Sequence, residues 1–176
     1  IAGHSTEALD QYKRNGLSGA RLPILNGLQA VRELRASLAA MSLSEDAQWE
    51  IDFRLGTKER QFVNAALLVH SVRIEVLASD GLVVPGQIID VSVVIANRGS
   101  VPVTVRGVRT AGFADAVACD TESIVSGAVY SCAQAVTVPI DTRPTDIHWR
   151  HEPDADRYIV DEDVPFGAPF RSTPFR

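Results

Sequence analysis

The chain has little of what marks several protein classes. No apolar run approaches the roughly 20 residues that a membrane-spanning helix needs, so a helical span is excluded. Basic residues do not exceed acidic ones: Lys and Arg total 17 against 22 Asp and Glu, and the net charge is −5. That balance gives no basic footprint for a nucleic-acid partner. The glycines are scattered through predicted turns and form no phosphate-cradling loop. Ser71, Ser92, Ser126 and Ser131 have no nucleophile-elbow context and no paired His and Asp pattern. No catalytic residue is therefore assigned. Cysteine is scarce too, with only Cys119 and Cys132. Two thiols are compatible with one disulfide or with two small buried side chains. Both fall in one region of predicted strands, which favours a bridge if their Cα atoms approach within about 7 Å. The first residue is Ile1 rather than Met, which suggests a fragment cut from something longer or a processed product, with its original targeting segment removed.

What is present is 45% apolar residues over 176 positions, enough for one ample domain or two small ones. The first 70 residues carry helical periodicity. A short helix is expected over Thr6–Tyr12, stopping near Gly16. After Pro23, placed in a first helical turn, the residues Leu25, Leu28, Val31, Leu34, Leu38 and Met41 recur at spacings of three and four. Ser44 opens a second helix with Glu45 and Asp46 in its first turn, and Ile51, Leu55, Phe62, Ala66 and Val69 continue its apolar side. Gly56 weakens the middle of that helix, and Trp49 and Phe53 are expected to pack. The connection at Ser42–Ser44 is short, so the two helices should form an antiparallel hairpin.

Near His70 the period changes from 3.6 to 2. In "VRIEVLAS", Val72, Ile74 and Val76 share one face and Arg73 and Glu75 the other. Pro85-Gly86 is a turn. "IIDVSVVIA" points Ile89, Val91, Val93 and Ile95 inward, and "VPVTVRGV" follows as the next strand. Between them Asn97-Arg98-Gly99-Ser100 reads as a hairpin turn, with Asn97 and Gly99 supplying positive φ. "AVYSC" and "AQAVTVPI" supply two further strands. Six or seven short strands at this spacing argue for a β-sandwich over residues 71–142.

Residues 143–176 differ again. Pro144, Pro153, Pro165, Pro169 and Pro174 exclude a helix or central strand. Trp149, Tyr158, Phe166, Phe170 and Phe175 argue against free disorder. The segment reads as an extended arm that lays aromatics on a surface. Trp149, Tyr158, Phe166 and Phe170 are its candidate binding residues. His148 and His151, with Asp154, offer two imidazoles and a carboxylate that a zinc ion can take. Their i, i+3 spacing among prolines lacks the helical H-E-x-x-H arrangement, so no metal ligand is assigned. Asp161-Glu162-Asp163 lacks EF-hand spacing and reads as a solvated acidic turn.

Three stretches carry a family resemblance: "EIDFRLGTKERQF" (Glu50 to Phe62), "VRIEVLASDGLVVPGQIIDVSVVIANRGS", and the tail "RYIVDEDVPFGAPFRSTPF". Together they resemble the C-terminal region of large bacterial proteins of the PIG-L/LmbE type, whose N-terminal domain resembles zinc-dependent N-acetylglucosaminyl deacetylases. The central part also resembles Ig-like modules appended to carbohydrate-active enzymes. The zinc site of that family needs A-H-P-D-D-E and a later histidine. Here "HEPDAD" at His151–Asp156 is out of order and lacks the adjacent aspartates, so no catalytic residue carries over.

The resulting expectation is an α+β chain with three parts: a helical region at 1–70, an Ig-like sandwich at 71–142 and an extended C-terminal arm at 143–176. It would be a non-enzymatic accessory module without a cofactor. Its partner would be the deacetylase-like domain of the same parent chain, and it would brace or orient that domain or its carbohydrate substrate. The alternatives are a carbohydrate-binding module using Trp149 and Tyr158, and a small metal-dependent hydrolase at His148, His151 and Asp154. The resemblance implies a secreted or periplasmic setting.

Overall fold

A computed structural model describes residues 1–115, 119–154, 156–162, 164, 173 and 175. The fold is α+β, with an N-terminal helical hairpin followed by antiparallel sheets. Helix α1 runs Ala2–Ser37 and α2 runs Glu45–Val69, joined through a 3-10 turn at Leu38–Ala40. The strands are β1 (Val72–Ala78), β2 (Ile88–Asn97), β3 (Val103–Val105), β4 (Glu122–Ile124), β5 (Val129–Thr137), β6 (Trp149–His151) and β7 (Tyr158–Val160). They form a three-stranded sheet in the order β1-β2-β5 and two pairs, β3-β4 and β6-β7. The chain divides into two units. The first is Ile1–Glu75, Ile95–Thr104 and Ser123–Tyr130; the second is Val76–Val94, Val105–Glu122 and Ser131–Arg176.

In the first unit, α1 breaks at Gly16, whose φ of 64° and ψ of −156° lie outside the helical range. The segment beyond it packs along α2. Ala20, Ile24, Leu28, Val31 and Leu38 meet Leu55, Phe62 and Val69 in one apolar core. Cross-helix partners fix the antiparallel sense. Arg35 holds Asp52 through two bonds of 2.8 and 3.0 Å and Glu59 at 2.7 Å, Arg32 also reaches Glu59, and Arg21 Nε donates to the Val69 carbonyl at 3.0 Å. That last bond satisfies one of the carbonyls that the end of α2 leaves without a helical partner. The Ser44 hydroxyl caps the start of α2 by accepting from Ala47 N–H at 3.3 Å. The Phe62 ring lies so close over Gly27 that a Cβ there would stand 2.3 Å from a ring carbon.

Several sequence expectations need correction here. Pro23 lies seven residues past the Gly16 break, in the helix interior and buried, not in a first turn. Ile24 takes the core position expected of Leu25, and both Leu25 and Met41 are exposed. The rest of the expected face holds: Leu28, Val31 and Leu38 are buried and Leu34 packs against them. Trp49 and Phe53 do not pack into the core but are 67% and 59% exposed.

The largest correction concerns Asn97–Ser100. Strands β2 and β3 belong to different sheets, so this stretch is a corner, not a hairpin turn. Neither Asn97 nor Gly99 has positive φ. Asn97 is instead fully buried. Its Nδ2 donates to the Val101 and Ile124 carbonyls at 2.9 Å each, and its Oδ1 accepts from Gly99 N–H at 3.0 Å. Its own backbone N–H and carbonyl pair with Ala128 and Gly127. Gly99 is required for space: a Cβ there would stand 2.1 Å from the His70 carbonyl oxygen. The corner thus closes against the end of α2, where Arg98 N–H donates to Ser71 O and Arg21 reaches the Ser100 hydroxyl at 3.4 Å.

In the second unit, β2 alternates as expected, with Ile89, Val91 and Val93 buried. Ile89, Val91 and Val136 form a small core against Val83, Val108, Phe113 and the cystine. Cys119 and Cys132 are bonded, with Cα atoms 5.9 Å apart. "AVYSC" and "AQAVTVPI" are not two strands but one continuous β5. Strand β1 is a sheet edge, and Val76 on it is 64% exposed, so the alternation of β1 does not produce a buried face there. The Pro85-Gly86 turn forms, with Gly86 at φ 81° and its N–H bonded to Val138 O. Residues 143–176, expected to be extended throughout, contain the paired strands β6 and β7. Phe175 stacks on Phe113 with ring centroids 4.6 Å apart, and Val164 is buried. Phe166 and Phe170 lie outside the described residues.

Candidate functional site: an exposed aromatic ribbon

The β6–β7 ribbon gathers the aromatic residues singled out from sequence. Tyr-Ile-Val consists of strand formers and Trp-Arg-His opens with one, and the turn between them carries Pro153, which a central strand would not accept. The pairing is antiparallel, with Trp149 opposite Val160, Arg150 opposite Ile159 and His151 opposite Tyr158. Because successive side chains alternate, Trp149, His151, Tyr158 and Val160 share one face, and Arg150 and Ile159 the other.

That first face is open. Trp149 is 42% exposed and Tyr158 59%, and Val160 and His151 are exposed as well. Tyr158 stands between two rings. Its centroid is 4.9 Å from Trp149 at 84° and 5.2 Å from His151 at 61°. Such edge-to-face contacts between cross-strand neighbours stiffen the cluster before anything binds. Behind and beside it, Asp161 receives Arg143 at 3.0 Å and Arg150 at 3.5 Å, while Asp161 N–H donates to the His148 carbonyl at 2.8 Å. The charge is thus held near the strand ends and the ring face is left apolar with polar tips.

The metal alternative finds a different geometry. His148 is buried while His151 is exposed on the ribbon. Among the described residues, no group of three His, Cys, Asp or Glu side chains stands close enough to share an ion. His148 Nδ1 has no hydrogen-bond partner. The structure brings together Trp149 and Tyr158, and adds His151 and Val160, which sequence reasoning did not place with them. Strand alternation within "WRH" and "YIV" carried that signal, but the partner register could not be read without the turn.

No family model matches the chain, and no curated protein matches it. Among solved structures, the alkylpurine DNA glycosylase AlkC of Pseudomonas fluorescens, bound to DNA containing an abasic site analog, is similar with a TM-score of 0.35 and 14% identity. The match covers 73% of this chain and 40% of that one, so the chain spans well under half the length of AlkC.

Proposed function

We propose that the chain is a non-catalytic accessory module, a helical hairpin followed by an Ig-like sandwich and a C-terminal arm, whose contact surface is the aromatic face of the β6–β7 ribbon. The observation that carries this reading is the shared, solvent-facing placement of Trp149, His151 and Tyr158. Monomeric proteins seldom leave several aromatic rings gathered in water without a partner for them. Rings with apolar faces and polar tips suit the C–H faces and hydroxyls of a sugar. A carbohydrate ligand agrees with the resemblance to the PIG-L/LmbE group, in which the module would hold substrate near a deacetylase-like domain of the same parent. The Cys119–Cys132 bond agrees with a secreted or periplasmic setting, where disulfides persist.

Affinity electrophoresis through gels containing soluble polysaccharides tests the reading. At least one amino-sugar polymer should retard the protein, and Trp149→Ala or Tyr158→Ala should weaken retention about tenfold, near 1.4 kcal/mol. Retention that is the same in both variants, or absent for every polymer, rejects the carbohydrate assignment.

A further inference from the structure

A second aromatic pair lies far from the ribbon in sequence and is independent of it. On α2, Trp49 and Phe53 are one helical turn apart. Their rings stack with centroids 5.6 Å apart and planes 11° from parallel. Both rings are mostly in water, at 67% and 59% exposure. They fall outside the line of Leu55, Phe62 and Val69 that meets α1, so hairpin packing does not explain them. With Glu45, Gln48 and Asp52 they line a shallow groove of about 480 Å³.

The ionisable residues of the stretch that forms the groove are all acidic, and the cations near it, Arg35 and Arg54, are held in ion pairs. Glu45, Asp46, Glu50 and Asp52 are the only ionisable residues from Ser44 to Phe53. Two of them are engaged: Asp52 by Arg35 through two hydrogen bonds, and Glu50 by Arg54. Glu45 lines the groove and has no ion-pair partner among the described residues. A stacked tryptophan and phenylalanine present π faces, whose negative quadrupole attracts a cation, and tryptophan does so most strongly. A free carboxylate at the rim adds to that attraction.

We infer that the Trp49–Phe53 ledge docks a basic segment of a partner protein, seating an arginine side chain across the rings with its charge toward Glu45. Arginine fits better than lysine because its planar guanidinium lies flat on an aromatic face and is weakly hydrated, whereas an ammonium is compact and holds its water. The fixed Arg35–Asp52 pair holds one wall in place, so that carboxylate does not turn toward the incoming charge.

The test uses the whole chain and a short fluorescein-labelled peptide of alternating glycine and arginine, followed by anisotropy at physiological salt, beside peptides with lysine, glutamate or phenylalanine in place of arginine. The arginine peptide should bind best. Trp49→Ala should weaken it about threefold to fivefold, and the Trp49→Ala/Phe53→Ala double variant about tenfold, as expected for exposed cation–π contacts. Glu45→Gln should weaken the arginine peptide and leave the phenylalanine peptide unchanged. Both rings are exposed, and circular dichroism will show whether each variant keeps its helices; where Trp49→Ala does not, Trp49→Leu, which keeps apolar bulk without the π face, replaces it. Equal binding of the arginine peptide by the wild type and the double variant would show attraction by net charge alone and overturn the proposal. So would preference for the phenylalanine peptide. Concentration-dependent self-association that the double variant abolishes, without peptide binding, would assign the ledge to a second copy of the chain and equally overturn it.

Discussion

The two units solve the same problem with different means. The helical unit buries a line of apolar side chains from Ala20 to Leu38 against Leu55, Phe62 and Val69, and adds a cross-helix ionic network around Arg35. In the strand-rich second unit Ile89, Val91 and Val136 form one cluster, Val93, Val105, Val138 and Val164 are buried as well, and Val76, Leu77, Leu82, Val84, Ile88 and Ile140 remain exposed. That unit also has the disulfide. Among the described residues, the difference lies in which apolar side chains are covered by a facing element. A disulfide adds to such packing by restricting the unfolded chain.

The largest expected effect lies at the corner after β2, inside the helical unit. Asn97→Ala removes one acceptor and two donors from a fully buried place and leaves Gly99 N–H and the carbonyls of Val101 and Ile124 unpaired. Each orphaned buried group costs about 1–3 kcal/mol, so a loss of about 4 kcal/mol or more is expected in urea denaturation. Asn97→Asp should do no better, since a carboxylate would face two carbonyl oxygens. A loss below about 1 kcal/mol would show that the first unit does not depend on its strand segments, and the comparison would have to be redrawn with the helices alone.

The next effect belongs to the second unit. Replacing Cys119 and Cys132 by alanine opens a link across 13 residues of sequence. The chain-entropy account gives about 3 kcal/mol for a loop of that size. Hydrogen exchange should quicken at β5 amides beside Cys132 while the α1 and α2 amides keep their protection. Equal loss of protection in the helices would mean that the disulfide stabilises both units and does not act locally.

How much of this was legible follows from which interactions are local. The Ser44 cap, the Gly16 break and the inward face of β2 were readable because each depends on residues a few positions apart. The helical hairpin followed from the short connection before Ser44. The role of Asn97 was not readable: its side chain serves carbonyls at Val101 and Ile124, and only the β3–β4 pairing places Ile124 there. Asn-x-Gly is a turn signal by composition, and burial against the His70 carbonyl turned it into a packing requirement. Trp49 and Phe53 were visible at helical spacing, but their outward direction depended on where Leu55 and Phe62 met α1. For the ribbon, Trp149 and Tyr158 were nameable from the sequence, while their meeting depended on a register set by the intervening turn.

A smaller effect should appear with pH in the helical unit. His70 ends α2 with Nε2 buried and without a partner. Burial first, and the nearby Arg21 charge second, hold its pKa below the ordinary 6.5. The unfolded chain therefore takes up a proton at a higher pH than the folded one. The stability associated with neutral His70 is fully present above about pH 6.5 and falls as pH drops through the folded-state value. Urea midpoints at pH 7.5 and 5.0 should differ more for the wild type than for His70→Gln. An equal difference in both proteins would assign the acid sensitivity to other groups.

The smallest effect sharpens the account of helical packing, because two buried glycines of the first unit should respond with opposite signs. Gly56 lies under the Arg35 guanidinium, and a Cβ there would meet it at 3.7 Å, an ordinary van der Waals contact. Gly56 has no positive φ, so alanine fits its backbone. Gly56→Ala should raise stability by about 0.5–1 kcal/mol, the usual gain in helix propensity together with the lower freedom of the unfolded chain. Gly27 meets the Phe62 ring instead, at 2.3 Å from a built Cβ, and that ring is itself fixed in the core. Gly27→Ala should gain the same propensity and lose more through displacement of the ring, for a net loss of about 1–3 kcal/mol. Thermal melts of the two variants decide it. A gain for both would show that Phe62 turns aside easily and that the helical core is looser than its buried residues imply. A loss for both would show that the Arg35 bridge to Asp52 and Glu59 needs Gly56 for its approach, making the ionic network a stricter constraint on the hairpin than its partial exposure suggests.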